Sequence, residues 1–276
     1  MHPIKIHQIY YSADTRHGLD AGFMPLDNMR NQRPDWREYW PIRNYLQSRS
    51  LDPAAFYGFF SPKFGSKTLL DSRAVIDFVA RRSSDADVIL FSPFFDQMAY
   101  PINIFEQGAM QHADTMPVFR DCALMVAPDI DFDGLVMSST NTVFCNFFVA
   151  RATFWEAWLD ICESIFRLAE EGKTDLARKL NANTGHDGGG VPRKVFVIER
   201  IASLMLAAGT QWRARAYNPF ALPWSGARIA NFRLEMAFLD ALKVAYLKEG
   251  HPQYLDAFHR LRQVVNQWLS APSPEG

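Results

Sequence analysis

Hydrophobic positions along this chain alternate between short unbroken runs and longer stretches of helical periodicity. Ile4 to Ser12 opens with a strand-like run that ends in the hydroxyl-bearing residues Tyr10, Tyr11 and Ser12. A second apolar run at 55–60 ends in the corner Ser61-Pro62-Lys63. Asp87 to Pro93, Thr142 to Ala150 and Trp212 to Tyr217 read as further strands. Between them, apolar residues at 36, 39, 40, 42, 45 and 46 predict a helix, as do those at 70, 75, 76, 78 and 79, with Asp71 or Ser72 as its N-cap. Ile104 to His112, Arg151 to Glu171 (stopping at Gly172) and Val195 to Ala208 read as three more, and 228–269 is helical before a polar tail from Ala271 to Gly276.

Three stretches break the pattern. Residues 13–34 are rich in Gly, Pro, Asp and Asn, which predicts a long loop of the functional or mobile kind. Residues 181–192 predict a mobile loop whose Gly188-Gly189-Gly190 reads as a flexible linker rather than a phosphate cradle. Cys122 to Ala127 is a short apolar run leading into a turn at 128–134. No internal repeat is seen. Strands alternating with helices predict an α/β fold with a mixed sheet flanked by helices. That domain is expected over 1–225, with 226–276 as a C-terminal helical extension and short polar tail.

Composition narrows the class. With 276 residues, 48% hydrophobic and 21% charged, the chain can bury a sizeable core. A net charge of -1 argues against a nucleic-acid binder that works by general phosphate neutralisation. Three cysteines without metal-ligand spacing are expected to be reduced thiols. The start Met-His-Pro-Ile-Lys lacks a signal-peptide pattern, and the apolar segments near 143–150 and 195–208 are too short or interrupted to span a bilayer. A cytoplasmic protein is expected, at most resting on the inner face of a membrane. Aromatic residues make up 14% of the chain, enough to fill a core and leave a few rings for a cleft.

The local motifs of dinucleotide-binding folds, P-loops, serine hydrolases and zinc peptidases are absent from the sequence. An open α/β sheet places its ligand beyond the carboxyl ends of its strands. That rule puts Gln8, Tyr10, Tyr11 and Ser12 at one edge of a site, and Lys63 where it would meet a phosphate as a point charge. Asp96, just past the strand at 87–93, is an acidic candidate that would face the ligand crevice, or else an N-cap or surface-loop residue. Glu106 is a second acidic candidate, and Asp129, Asp131 and Asp133 read as a divalent-cation site or, preferably, a solvated turn. Arg43 reads as a surface charge. Glu199 and Arg200 sit mid-way in an apolar helix and point in different directions, so at least one should face the core or a cleft.

The order of these landmarks resembles a known group. His7-Gln8-Ile9-Tyr10 is similar to the His-Gln-Ile-aromatic opening of several glycosyltransferases of the GT-A fold. Tyr39-Trp40-Pro41-Ile42-Arg43-Asn44-Tyr45-Leu46 followed by Tyr57-Gly58-Phe59-Phe60-Ser61-Pro62-Lys63-Phe64 resembles small bacterial glycosyltransferase-like proteins of capsule and O-antigen gene clusters. Asn146-Phe147-Phe148-Val149-Ala150 leading into Phe154-Trp155-Glu156-Ala157-Trp158, and Phe196-Val197-Ile198-Glu199-Arg200-Ile201, resemble later landmarks of that group. The likeness spans roughly residues 4–215. It departs at the corner Ser61-Pro62-Lys63-Phe64, where the group carries His-Tyr-Arg-Arg, and in lacking a plain Asp-x-Asp after a buried strand.

The resemblance implies a GT-A-like sheet and a transferase that moves a sugar from a nucleotide-sugar donor to a surface-glycan acceptor. Base and ribose would lie near Gln8, Tyr10, Tyr11 and Ser12, and the diphosphate near Lys63 and Asp96, with or without Mg²⁺ or Mn²⁺ on Asp96. Asn146 and Arg200 would sit on the acceptor side, and Asp96 or Glu199 would be the catalytic base. The alternative is a non-catalytic protein that keeps the fold and binds a glycan or a partner chain.

Overall fold

The computed structural model describes residues 2–112, 114–184 and 190–270. In chain order its elements begin with β1 (Ile4–Tyr10), α1 (Ala13–His17), β2 (Met24–Asp27), α2 (Tyr39–Ser48), β3 (Phe56–Phe60), α3 (Phe64–Thr68) and α4 (Ser72–Arg82). Next come β4 (Val88–Leu90), α5 (Phe95–Ala99), α6 (Ile104–Gln111), α7 (Met116–Val126), β5 (Phe148–Arg151), α8 (Ala152–Glu171) and α9 (Asp175–Asn181). The chain continues through a two-residue ladder, β6 (Asn183–Thr184) and β7 (Val191–Pro192), then α10 (Arg193–Ala208), β8 (Ala214–Ala216), α11 (Arg233–Glu249) and α12 (Gln253–Ser270).

Six strands form one mixed sheet in the order β2-β1-β3-β5-β4-β8. β1 pairs in parallel with both β2 and β3, and β4 in parallel with β8. β5 is antiparallel to both of its neighbours, β3 and β4. The mixed α/β sheet expected from the sequence is therefore present. Its central strands are apolar on both faces, as strands covered on both sides are. Tyr57 and Phe59 of β3, Val88 and Leu90 of β4, and Phe148 and Ala150 of β5 enter a large core with α2, α6, α7, α8 and α10. The alternate residues Phe56, Phe60, Ile89 and Val149 face a second core with Phe64 of α3 and Val75 and Val79 of α4. A third core joins Phe95 and Met98 of α5 to Met236 and Leu239 of α11 and Phe258 and Val265 of α12.

Most rings are core rings. Phe60 stacks on Phe64 at 4.0 Å between centroids, and Phe148 on Trp155 at 4.4 Å, where the Trp155 indole N–H also reaches the Tyr57 carbonyl at 2.9 Å. Several helix ends follow local chemistry. Asp71 accepts from the Ala74 amide as the N-cap of α4, and α8 stops at Gly172, whose φ of 66° takes the left-handed turn expected of a terminal glycine. Among the described residues, no helix is long and apolar enough to cross a membrane.

Several boundaries differ from the sequence expectation. The loop foreseen at 13–34 contains α1 and the short edge strand β2, whose Pro25 is tolerated because an edge position leaves one row of amides unpaired. Cys122 to Ala127 is the end of helix α7, which starts beside Pro117. The strand expected over 142–150 is confined to Phe148–Arg151, because Cys145 and Asn146 take left-handed φ values of 57° and 53° that no ladder accepts. The run 181–192 holds the β6–β7 ladder, while residues 185–189, with Gly188 and Gly189, lie outside the described residues, as does the tail 271–276.

Candidate functional site

A cleft of about 300 Å³ opens beyond the carboxyl ends of β1, β2 and β3. Because β5 runs antiparallel, its entry turn reaches the same edge. Tyr11 follows β1, Asn28 follows β2, Ser61 and Lys63 follow β3, and Lys67 comes from α3. Cys145 and Asn146 form the lip of β5, and Glu199 of α10 closes the far wall. Asn31, Trp36, Arg37 and Glu38, from the segment between β2 and α2, complete the lining.

The backbone around this cleft is held in uncommon conformations. Seven non-glycine residues among those described have positive φ, and four of them, Asn31, Arg37, Cys145 and Asn146, line the cleft. Each such conformation costs on the order of 1 kcal/mol or more, and strain of this kind gathers at functional sites. Asn146 adds a second cost. It is buried, and its side-chain Oδ1 has no hydrogen-bond partner. A buried amide oxygen normally finds a partner, and this one lacks it at the wall of the cleft.

The charges have a pattern too. The Lys67 ammonium donates to the Cys145 sulfur at 3.0 Å. Burial disfavours its charge, yet Cys145, Glu199 and Glu38 outweigh burial and leave Lys67 above its usual range. Burial pushes the Cys145 thiol up to about 11, helped by Glu199 and opposed by Lys67, so it is neutral at pH 7. The Glu199 carboxyl is raised, first by desolvation and further by Glu38, against the opposing charges of Arg200 and Lys67. Glu199 has no ion pair or hydrogen bond with any described residue. Lys63 and Arg37 are exposed and form no ion pair among the described residues. The cleft therefore presents three cations and two carboxylates, one of which, Glu199, is raised in pKa and unpaired among the described residues.

The segment that carries Asn31, Arg37 and Glu38 is clamped from behind. Arg33 makes a bidentate contact with Asp35 at 3.0 and 2.9 Å and another with Glu170 of α8 at 2.7 and 2.6 Å. The buried Lys194 of α10 donates to Asp35 at 2.6 Å and to Asn181 at 2.8 Å, over the Trp36 ring at 4.4 Å. The Trp36 indole N–H reaches Glu170 at 3.0 Å. This side of the cleft is thus set by a partly exposed ion-pair network anchored on the buried Lys194 rather than by regular structure.

Of the residues singled out in the sequence, the cleft gathers Tyr11, Lys63, Asn146 and Glu199. The others lie elsewhere. Buried Gln8 accepts from the Asp20 amide at 2.9 Å and so ties down the segment after α1. Tyr10 is buried, with its hydroxyl on Asp27 and Arg16 over its ring. Ser12 is the N-cap of α1, in a capping box with Thr15. His7, in the same opening motif, packs between Tyr45 and Phe59, and burial lowers its pKa to about 4 against an opposing Gly58 backbone hydrogen bond, keeping it neutral.

Asp96 is fully buried, and its carboxylate accepts from the Ser225 amide at 2.9 Å, the Ser225 hydroxyl and the Gln97 amide at 2.9 Å. It anchors the segment after β8 and does not reach the cleft. Arg200 is a buried staple between α10 and α6: it donates to the carbonyls of Ile104 at 3.1 Å and Phe196 at 2.7 Å and to Gln107 at 3.3 Å, over the Phe119 ring. Desolvation, against the pull of Glu199, lowers its pKa to about 10. Gly108 makes room for it, since a Cβ there would lie 2.3 Å from a guanidinium nitrogen. The helix Glu199-Arg200 therefore sends one charge to the cleft and the other into the core.

Glu106 holds α12 through a bidentate contact with Arg262 at 3.0 and 2.8 Å. Arg43 is half-buried against Glu163 at 2.5 and 2.9 Å, together with the Tyr39 hydroxyl. Asp131 caps the Gly134 amide and Asp133 pairs with Arg120, so the acidic run is a turn tied to α7. Among the described residues, no group of three His, Cys, Asp or Glu side chains is arranged to hold a metal ion.

Sequence reasoning missed Arg37, Glu38, Lys67 and Cys145. Lys67 had a usable signal, because it stands four residues after Lys63 and shares its side of a helical turn. The left-handed pair Cys145–Asn146 had none, since an apolar run reads as a continuous strand. Comparison with family models, curated proteins and solved structures gave no match to this chain.

Proposed function

We propose that the cleft binds a nucleotide-sugar and that the protein is a glycosyltransferase of GT-A type, acting on a surface-glycan acceptor of the capsule, O-antigen or exopolysaccharide kind. One observation carries this reading: four residues chosen from the sequence for that role, Tyr11, Lys63, Asn146 and Glu199, converge on one cleft at the carboxyl edge of a mixed sheet. The half-exposed Tyr11 ring offers a face for a nucleobase. Lys63, Lys67 and Arg37 offer the positive charge that a diphosphate needs, both bound and as a leaving group. Asn146, with its unsatisfied amide oxygen, accepts from a sugar hydroxyl.

Glu199 is the base in this reading. A carboxylate held above its ordinary pKa is a better proton acceptor for an attacking hydroxyl. As that hydroxyl bonds to the anomeric carbon, its proton passes to Glu199, the bond to the diphosphate breaks, and the departing charge meets the three cations. Asp96 takes no part, because hydrogen bonds within the fold occupy its carboxylate. With its carboxylate already occupied, it does not fit a divalent cation either.

Thermal-shift titration with UDP-, GDP- and CMP-sugars, each with and without Mn²⁺, tests the reading. A donor-specific shift that is lost in Lys63→Ala and Lys67→Ala is expected. No shift with any donor sinks it. A shift without transfer to any acceptor glycan, unchanged in Glu199→Gln, favours a non-catalytic binder.

A further inference from the structure

Lys243 of α11 is fully buried, and its nitrogen lies 5.6 Å from the centre of the Phe258 ring of α12. It borders the third core, in which Met236 and Leu239 of the same helix pack on α5 and α12. The nitrogen donates to two carbonyls, of Met98 at 2.5 Å and of Pro101 at 2.7 Å, at and just beyond the end of α5. Carbonyls at a helix end lack amides of their own helix, and Lys243 supplies donors to these two. Among the described residues it has no third acceptor and no ion pair. Lys194, buried almost as deeply, differs, since it has Asp35 at 2.6 Å.

That count fits an amine better than an ammonium. A neutral amine has two N–H donors, and two carbonyls satisfy both. An ammonium has three donors, so here one would point into the core and its charge would go unpaired. We propose that Lys243 docks the helical pair α11–α12 onto the body of the protein as a neutral amine, so that undocking takes up a proton.

The charged groups around it are committed elsewhere. On α11 itself, Asp240 lies one turn earlier and accepts from the amide and hydroxyl of Ser139 at 2.8 and 2.6 Å. Glu235 lies more than two turns away, and Arg233, Lys248 and Glu249 are exposed at the helix ends. From α6, Glu106 faces the site but holds Arg262 of α12. From α5, Asp96 is taken by Ser225, and the Tyr100 hydroxyl beyond it donates to Asn266. Arg228, before α11, donates to the Leu269 carbonyl, and Asp256, His259 and Arg260 of α12 are exposed. Burial pushes the Lys243 amine from 10.5 down to about 7, against the opposing charges of Asp240 and Glu106 and with the help of Arg262.

Because the docked-state value is lowered, the undocked helix binds more protons between about pH 7 and 10.5. Docking therefore strengthens as pH rises through that window. It weakens about tenfold for each unit of falling pH, and below the window it changes no further.

Hydrogen exchange of the full chain, read by mass spectrometry between about pH 7 and 9 and corrected for the intrinsic rate at each pH, tests the proposal. Peptides of α11 should lose protection about tenfold per unit as pH falls. In Lys243→Met, which keeps the apolar stem and takes up no proton, that slope should vanish. A wild-type chain without the slope, or a variant that keeps it, overturns the proposal. Carbon-13 NMR of lysine-labelled wild-type protein reads the amine directly, even where the variant fails to fold. One lysine Cε resonance should titrate near pH 7, far below the rest. A chain in which every lysine titrates above about pH 9 overturns the proposal as well.

Discussion

Replacing Lys194 by Met isolates the clamp behind the cleft. The change keeps the length and apolar stem of a buried side chain and removes the charge that Asp35 and Asn181 accept. Burial alone would raise the Asp35 carboxyl, but Arg33 and Lys194 outweigh it and hold it at about 2, against an ordinary 3.8. That depression corresponds to about 2.4 kcal/mol at 1.36 kcal/mol per pH unit. The Asp35 side chain is 35% exposed and Arg33 remains as a second partner, so the share lost with Lys194 falls to about 1 kcal/mol. Asn181 is exposed, so its freed oxygen turns to water and adds little.

Because the folded-state pKa is depressed, this stability is fully present above the unfolded value and fades as pH falls from about 5 towards 2. Urea unfolding followed by Trp fluorescence should show Lys194→Met weaker by about 1 kcal/mol at pH 7, with the gap narrowing near pH 2. The cleft should loosen with it, since Asn31, Arg37 and Glu38 ride on the clamped segment. An equal loss at both pH values, or no loss at pH 7, refutes the assignment of Asp35 as the partner.

Other expectations follow from single contacts. Glu199→Gln should abolish transfer while leaving donor-induced thermal stabilisation in place, and the wild-type rate should rise with pH through a titration above the ordinary carboxylate range; a rate limb at an unshifted position counts against Glu199 as the base. Asn146→Gly should stabilise the fold by about 1 kcal/mol by releasing its left-handed φ, yet weaken ligand binding, and a variant that is less stable contradicts the strain argument. Gly108→Ala should cost about 3 kcal/mol in urea unfolding, although Ala favours a helix by about 1 kcal/mol, because its Cβ would displace the buried Arg200 guanidinium. A neutral or stabilising outcome there means that Arg200 is free to move.

The sequence was most legible where one signal sufficed. Unbroken apolar runs located β3 and β4, helical periodicity located α2, α4, α8 and α10, and Asp71 and Gly172 marked helix ends by their own side-chain chemistry. It was least legible where partners come from far along the chain. Asp96 stands at the edge of a strand, as a site residue would, but Ser225, distant in sequence, claims its carboxylate. Gln8 and Ser12 lie within three residues of Tyr11, yet hydrogen bonds to Asp20 and Thr15 consume them while Tyr11 reaches the cleft. Proximity to a strand end selects a neighbourhood, and the hydrogen-bond ledger decides which residue in it stays free.

That ledger also separates support from site in the charged residues. Arg43, Glu106, Arg200, Lys194 and Lys243 are all buried or half-buried, and all have their donors or acceptors occupied. They hold helices and segments in place. The cleft groups show the opposite condition among the described residues: Glu199 is unpaired, the Asn146 oxygen is orphaned, and Lys63 and Arg37 lack a carboxylate partner. Four left-handed residues hold these groups where they are, at a cost in stability that packing elsewhere offsets. On the reading proposed above, the missing partners of a cleft in which strain, unsatisfied polar atoms and unneutralised cations coincide arrive with a ligand, polar and anionic in the parts that face those groups.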